Sequence, residues 1–281
     1  MIRTKFNLSG LLKELVDVPG AIKNLYSHRD LINILTLRDF RARFRGSFGG
    51  LLWSVFQPLI MMLVYTLVFS NFLGVRFGTS DSPFMFAVYL LCGLLPWNAF
   101  SEGLNASTGL IRANSNLVKR VVFPLEVLPV TVTLGAAIQQ VIGVLLLIPL
   151  AWLVNGRFYW TVFLFPVLLL VQIIFYIGIN WLWTSLSVFL PDLKQFTGIF
   201  LSAFVFLTPI FYPIEAVPPE AVFYINLNPL THLVNMYRDT LMNGVLPNGQ
   251  ELLGIFLLAA AVFMLGYWWF IRTKKGFSDV L

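Results

Sequence analysis

Between residues 37 and 50 the chain reads LRDFRARFRGSFGG, which sets four arginines within eight positions. Guanidinium groups are planar donor forks that meet phosphate oxygens two at a time, so the cluster suits a phosphate-bearing ligand or anionic lipid. With helical spacing, Arg38, Arg41 and Arg45 share one stripe and Leu37, Phe40 and Phe44 another. A helix over 37–45 would lie in a headgroup layer, its basic stripe toward phosphate and its aromatic stripe toward acyl chains. The glycines of GSFGG then free the backbone to turn into the apolar segment that follows. The plainer alternative is that these arginines only fix topology.

Other reactive constellations are missing. His28 and His232 are the only histidines, and the chain has no H-E-x-x-H, no D-x-D pair and no G-x-S-x-G. Cys92 stands alone, which excludes an internal disulfide or a thiolate cluster and leaves it a small buried hydrophobe. Glu102 and Glu126 fall at predicted span ends, where a solvated or loop-bonded carboxylate is ordinary. There is no G-x-x-x-x-G-K-[ST], so nucleotide phosphates have no P-loop and any ATPase is a separate subunit. No predicted span carries a central Asp, Glu, Lys or Arg, which argues against a proton- or sodium-coupled carrier, although Gln139, Gln140 and Asn180 could line a path.

The elements that must position these residues follow from composition. With 58% hydrophobic and 11% charged residues in 281, the chain lacks the polar groups to cover a soluble surface and reads as an integral membrane protein. About 20 residues, each rising ~1.5 Å, cross the ~30 Å of hydrocarbon. Six charge-free intervals are that long: 46–75, 82–101, 127–156, 158–191, 195–214 and 252–271. VLLLVQIIFYIGI shows no alternating polarity, so the spans are helices and not barrel strands. Nothing at the amino terminus reads as a cleavable signal, and the first 45 residues are expected to be retained. With six spans, 16 of the 19 Lys and Arg fall on one side, which assigns both termini to the cytosol and explains the net charge of +6 without nucleic acid.

Two connecting segments stand out. In 109–126, Gly109, Asn114, Ser115 and Asn116 interrupt a long helix and Pro124 bars its continuation, leaving a short helix around Leu117 to Phe123. The segment 213–245 combines helix-breaking prolines with apolar stretches such as AVFYINL. A re-entrant pair of short helices entering from outside reconciles the two, provided protein shields the broken backbone. Tyr212, Phe223 and Tyr224 would stand near its constriction as an outer gate, or the segment is a purely structural cap.

LTLRDFRARFRGSFGGLLWSVFQPLIMMLVYTLVFS (35–70), IRANSNLVKRVVFPLEVLPV (111–130) and LTPIFYPIEAVPPEAVFYINLNPLTHLVNMYRDTLMNG (207–244) together resemble ABC-2-type permease subunits of bacterial polysaccharide exporters. The resemblance covers roughly residues 30 to 275, in order. It implies an all-α fold of six transmembrane helices: an arm 1–45 with an interfacial helix, a membrane domain 46–275 with re-entrant helices between spans five and six, and a cytosolic tail 276–281. It further implies a homodimer in the bacterial cytoplasmic membrane, joined to two ATP-binding cassette subunits that carry ATP and Mg²⁺, with no cofactor on this chain.

The cargo so implied is a polyprenyl-pyrophosphate-linked glycan of O-antigen type, with capsule, teichoic acid or another amphiphile as the alternative. A membrane enzyme of envelope-lipid synthesis is the reading from another class, but it lacks an acidic or histidine cluster. Arg38, Arg41 and Arg45 would meet the pyrophosphate. Arg112, Val118, Lys119, Arg120, Val121 and Phe123 would dock the ATPase. Two aromatic stripes, Tyr65, Phe69 and Phe72 and then Phe196, Phe200 and Phe204, would line the channel, because sugar C–H faces slide over aromatic rings without demanding one geometry.

Overall fold

The computed structural model describes residues 18–46, 48–72, 74, 83–118 and 123–280, and every regular element among them is helical. The amino-terminal helices α1 (Val18–Ser27) and α2 (Arg29–Ala42) precede α3 (Trp53–Tyr65), which runs on as a wider π-helical stretch, Thr66–Phe72. There follow α4 (Pro83–Ser107), the short α5 (Leu110–Ala113) and α6 (Ser115–Val118), α7 (Val127–Asn155) and α8 (Phe165–Phe189). The chain closes with α9 (Leu193–Phe204), α10 (Pro219–Asn226), α11 (Pro229–Arg238), α12 (Gly249–Thr273) and α13 (Phe277–Val280). Gly109 takes a left-handed φ of 79°, which turns the chain out of α4 as its position predicts.

Among the described residues, five helices are long and apolar enough to cross a membrane: Trp53–Phe72, Phe84–Ser107, Val127–Asn155, Trp160–Phe189 and Gly249–Gly276. The predicted interval 195–214 differs. Its helix α9 has 12 residues, about 18 Å at the usual rise, and residues 205–212 continue in turns and bends. Pro209 bars the helix from resuming, since it has no N–H for the Val205 carbonyl, which accepts from Thr208 N at 3.4 Å in a tighter turn.

Side chains from elsewhere take up the polar backbone so exposed. Arg238 Nη2 donates to the Ile210 carbonyl at 3.0 Å, and Asn228 Nδ2 donates to the Leu207 carbonyl at 3.3 Å and to Thr208 Oγ1 at 2.8 Å. Burial lowers the Arg238 pKa to about 10, so the guanidinium stays charged at neutral pH while it holds this turn. The same repair appears in α3. Pro58 cannot donate to the Ser54 carbonyl, which accepts from Gln139 Nε2 on α7 at 2.7 Å. Gln139→Leu is expected to leave that carbonyl wanting a donor, at about 1–3 kcal/mol, read as a lower melting temperature in detergent.

The helices meet through small residues. At the α8–α12 crossing a methyl on Gly178 would stand 2.6 Å from the backbone of Val262 and Phe263, and one on Gly266 would strike the Gly178 carbonyl. Between α7, α8 and α11, Gln140 and Gln172 exchange amide hydrogen bonds of 3.0 and 2.6 Å, and the Tyr237 hydroxyl donates to Gln172 at 2.5 Å. All three are buried, so this polar knot is satisfied inside the bundle.

A second polar cluster joins the first described helix to the segment just past α12. Glu126 accepts from Asn24 at 2.8 Å and from Lys274 at 3.0 Å, and its backbone carbonyl accepts from Trp181 at 2.9 Å. Burial alone would raise the Glu126 pKa, but the bonds from Asn24 and Lys274 bring it below the ordinary carboxylate value. The unfolded carboxyl, near about 4.3, therefore takes up protons that the folded one does not. Stability from this cluster is complete above that pH and drains as pH falls through the lower folded value. Glu126→Gln is expected to flatten the acid limb of a melting-temperature profile as pH falls below about 4.3.

Candidate functional site

Helix α4 is buried along most of its length, yet Asn98, Ser101, Glu102 and Asn105 recur at i, i+3, i+4 and i+7 and form one polar stripe. Asn98 and Asn105 are exposed, and Ser101 and Glu102 are half-buried. Hydrocarbon has no partner for such groups, so the stripe belongs against protein or a water-filled path. It lines two adjoining clefts of about 480 Å³ each, which share Tyr65, Leu94, Asn98 and Ser101 and so form one groove. Arg43, Gln57, Glu102 and Gln139 line one end; Phe69, Ser202, Phe206 and Phe211 line the other.

Arg43 carries the charge at that first end. Arg43 follows the last residue of α2 with helical φ and ψ of −60° and −31°, so it continues the face of Ile32, Thr36 and Phe40 and reaches Glu102 as an ion pair, with side chains 27% and 34% exposed. Gly135 on α7 makes the room: a Cβ there would lie 3.0 Å from the Arg43 guanidinium. Burial lowers the Arg43 pKa, against an upward pull from the Asp39 charge. The predicted stripe lies elsewhere. Arg38 pairs with Asp39 at 2.9 Å with 59% of its side chain exposed, and Arg41 and Arg45 are exposed.

The companion apolar stripe of α2 also divides. Phe40 is buried with Ile32 and Leu35 where α2 packs on α7, and its ring meets Phe44 edge-on at 5.5 Å, while Leu37 is 46% exposed. The helix docks on the bundle through a face one step round from the predicted one.

The two aromatic stripes part company. Tyr65 and Phe69 line the groove, and both rings meet Phe211, at 5.4 and 5.0 Å. Phe72 and Phe196 are exposed, 74% and 53%. Phe200 and Phe204 stack on each other at 4.9 Å and face a separate, apolar cavity of about 560 Å³. Of the residues first read as path-lining, Asn180 turns inward to Thr133 at 2.8 Å, whereas Gln139 and Gln140 border the groove.

At the end of the bundle that carries Glu126, Arg112 donates to the Val188 carbonyl at 2.9 Å and Phe123 packs on a core cluster with Leu125 and Trp181. Val118 ends α6, and Lys119, Arg120 and Val121 lie outside the described residues. At the opposite end, the Tyr212 hydroxyl donates to the Phe206 carbonyl at 2.7 Å, and Phe223 and Tyr224 stand 65% and 72% exposed on α10. Sequence reasoning missed Arg43 and the α4 stripe. A search for uncharged polar residues at helical spacing would have found the stripe.

A chain of this shape has relatives of known name. It is 30% identical over 260 residues to the O-antigen export system permease protein RfbA of Myxococcus xanthus, covering 92% of this chain and 98% of that one. A protein of the same name from Klebsiella pneumoniae is 27% identical over 254 residues, 90% of this chain and 95% of the relative. The polysialic acid transport protein KpsM of Escherichia coli is 29% identical over 223 residues, 79% and 84% of the two chains. Residues 30–242, from α2 through the helical hairpin of α10 and α11, match the family described as ABC-2 type transporter. The helical bundle, its spanning elements and this match agree: the chain belongs to the ABC-2 type transporter family.

Proposed function

We propose that this chain is the membrane permease of an exporter that moves lipid-linked polysaccharide of O-antigen type across the bacterial cytoplasmic membrane. The observation that carries the reading is the groove on α4, where a polar stripe faces aromatic rings along one open side of the bundle. A sliding glycan needs that pairing: amide and hydroxyl groups for its hydroxyls, and ring faces for its C–H surfaces. The names of the relatives support a polysaccharide cargo, and polysialic acid among them keeps capsule and teichoic acid as the alternative.

One copy supplies only half a wall, since the groove is open along one side. A second copy facing it would close a conduit and cover Asn98 and Asn105, which lipid would leave unpaired. In this reading both termini are cytosolic, and α9 with residues 205–212 completes a sixth crossing. The hairpin of α10 and α11 is re-entrant from outside, with Tyr212, Phe223 and Tyr224 at the outer mouth. Residues 109–126 transmit movement from two ATP-binding cassette subunits, where ATP and Mg²⁺ bind; Arg112, Val118, Lys119, Arg120, Val121 and Phe123 form that contact. Arg43 guards the inner mouth, and Arg38, Arg41 and Arg45 face lipid or substrate phosphate. The chain itself makes and breaks no covalent bond.

The test is co-expression with a P-loop ATPase of the ATP-binding cassette type from the same organism. The expected result is a complex of two copies of each chain whose ATPase rises on addition of polyprenyl-linked glycan. Turnover by this polypeptide alone, or an outward amino terminus, overturns the proposal.

A further inference from the structure

The helical hairpin holds its shorter arm by few contacts. Helix α10 buries only Ile225, while Phe223, Tyr224 and the adjoining Leu227 stand exposed. Two side chains of α11 take up the carbonyls at its end: Thr231 Oγ1 donates to Ile225 at 2.8 Å, and His232 Nε2 meets the Asn226 carbonyl at 2.8 Å. The other ring nitrogen of His232, Nδ1, meets Glu251 Oε1 at 2.6 Å. Glu251 lies in the first turn of α12, so this one imidazole joins three helices.

A carbonyl and a carboxylate are both acceptors, and a ring nitrogen bonds either of them only while it carries hydrogen. A neutral imidazole has one N–H. Both bonds are therefore made only by the doubly protonated ring, whose positive charge also answers that of Glu251. An anionic side chain suits the first turn of a helix, which keeps Glu251 an acceptor. Helix α11 is fixed in the bundle by the buried Tyr237 and Arg238, so the arm that depends on this ring is α10.

The surrounding charges leave the ring to Glu251. On α10, Glu220 lies six positions before Asn226, about 9 Å of helical rise away. Helix α8 carries no charged side chain, and α4 carries only Glu102, which is paired with Arg43. Arg238, further along α11, turns to the Ile210 carbonyl and has Glu215 and Asp239 near it. Among the described residues no charge besides Glu251 meets the ring, and both side chains are open enough to water for a proton to come and go.

We propose that His232 is a proton-operated latch, whose charged ring clamps α10 to α12 and whose neutral ring lets α10 go. The carboxylate keeps the one remaining N–H, because a bond to a charged acceptor is the stronger, and the Asn226 carbonyl loses its donor. The clamp is complete in acid and opens as pH rises through the range where imidazoles discharge, about 5 to 8. The latch stands apart from the nature of the cargo; in the export reading it governs the mobility of the outer mouth.

The chain has two histidines, so ¹⁵N-histidine labelling of the full-length protein with His28→Gln reports the ring of His232 alone. In detergent, both ring nitrogens are expected to carry hydrogen at about pH 5 and only Nδ1 at about pH 8. Hydrogen exchange over residues 219–227, corrected for the intrinsic effect of pH, is expected to quicken about tenfold between those values and to lose that response in His232→Gln. A ring with a single hydrogen at about pH 5 overturns the proposal on the ring measurement alone, whether or not His232→Gln folds. Unchanged exchange in the protein that keeps His232, or an equal pH response in His232→Gln, also overturns it. Neither readout involves the ATPase or a glycan, so failure here leaves the export reading intact.

Discussion

Gly266→Leu is expected to leave less than about a tenth of the wild-type amount of folded protein in the membrane. The new side chain has nowhere to go, because its first carbon would strike the Gly178 carbonyl and the obstacle is backbone with no rotamer to change. Overpacking costs about 1–3 kcal/mol where side chains can give way, and here α8 and α12 must separate as rigid bodies. A cost beyond the top of that range takes most of a stability of about 5 kcal/mol, and the chains that unfold are cleared from the membrane. Gly178→Ala is the milder companion, its methyl 2.6 Å from Val262 and Phe263. The measurement is membrane abundance with a melting temperature in detergent, and wild-type values for Gly266→Leu would show that the helices do not meet there.

Arg43→Ala and Glu102→Ala should each reduce export at least tenfold, and Arg43→Glu combined with Glu102→Arg should recover a substantial part. Removing one member leaves the other charge partly buried at the groove's end. Such a break costs about 3–5 kcal/mol deep inside a protein but nearer 1 kcal/mol at a surface. With 27% and 34% of the two side chains exposed, an intermediate loss is expected. The swapped pair keeps the attraction and reverses its direction, so recovery assigns the effect to pairing. If the singles lose export and the swap recovers only stability, the positive sign at residue 43 is itself required, as contact with a phosphate demands.

The spanning helices were legible because uninterrupted apolar runs answer one simple question about length. The run 195–214 answered it too, but Pro209 overrode the hydropathy, and only the backbone shows how Arg238 and Asn228 satisfy the turn that replaces the helix. The arginine cluster was visible, while the member that pairs with Glu102 on the bundle was not. The stripe of Arg38, Arg41 and Arg45 was read as the functional one, yet Arg43 lies three residues past Phe40 with helical φ and ψ, on the face that packs on the bundle. The α4 stripe escaped for another reason: attention to charge within spans passes over Asn98 and Asn105, whose amides are equally foreign to lipid. Gln139 needed the fold to be understood, since its partner exists only because Pro58, far along the chain, lacks a hydrogen.

Glu126 is gripped by Asn24 from the first described helix and by Lys274 from just past the last long one. The polypeptide is thus buckled into a closed loop at this end of the bundle, through a single carboxylate. A strain applied to α1 would therefore reach the segment just past α12 through the same knot, and loosening either grip should loosen the other.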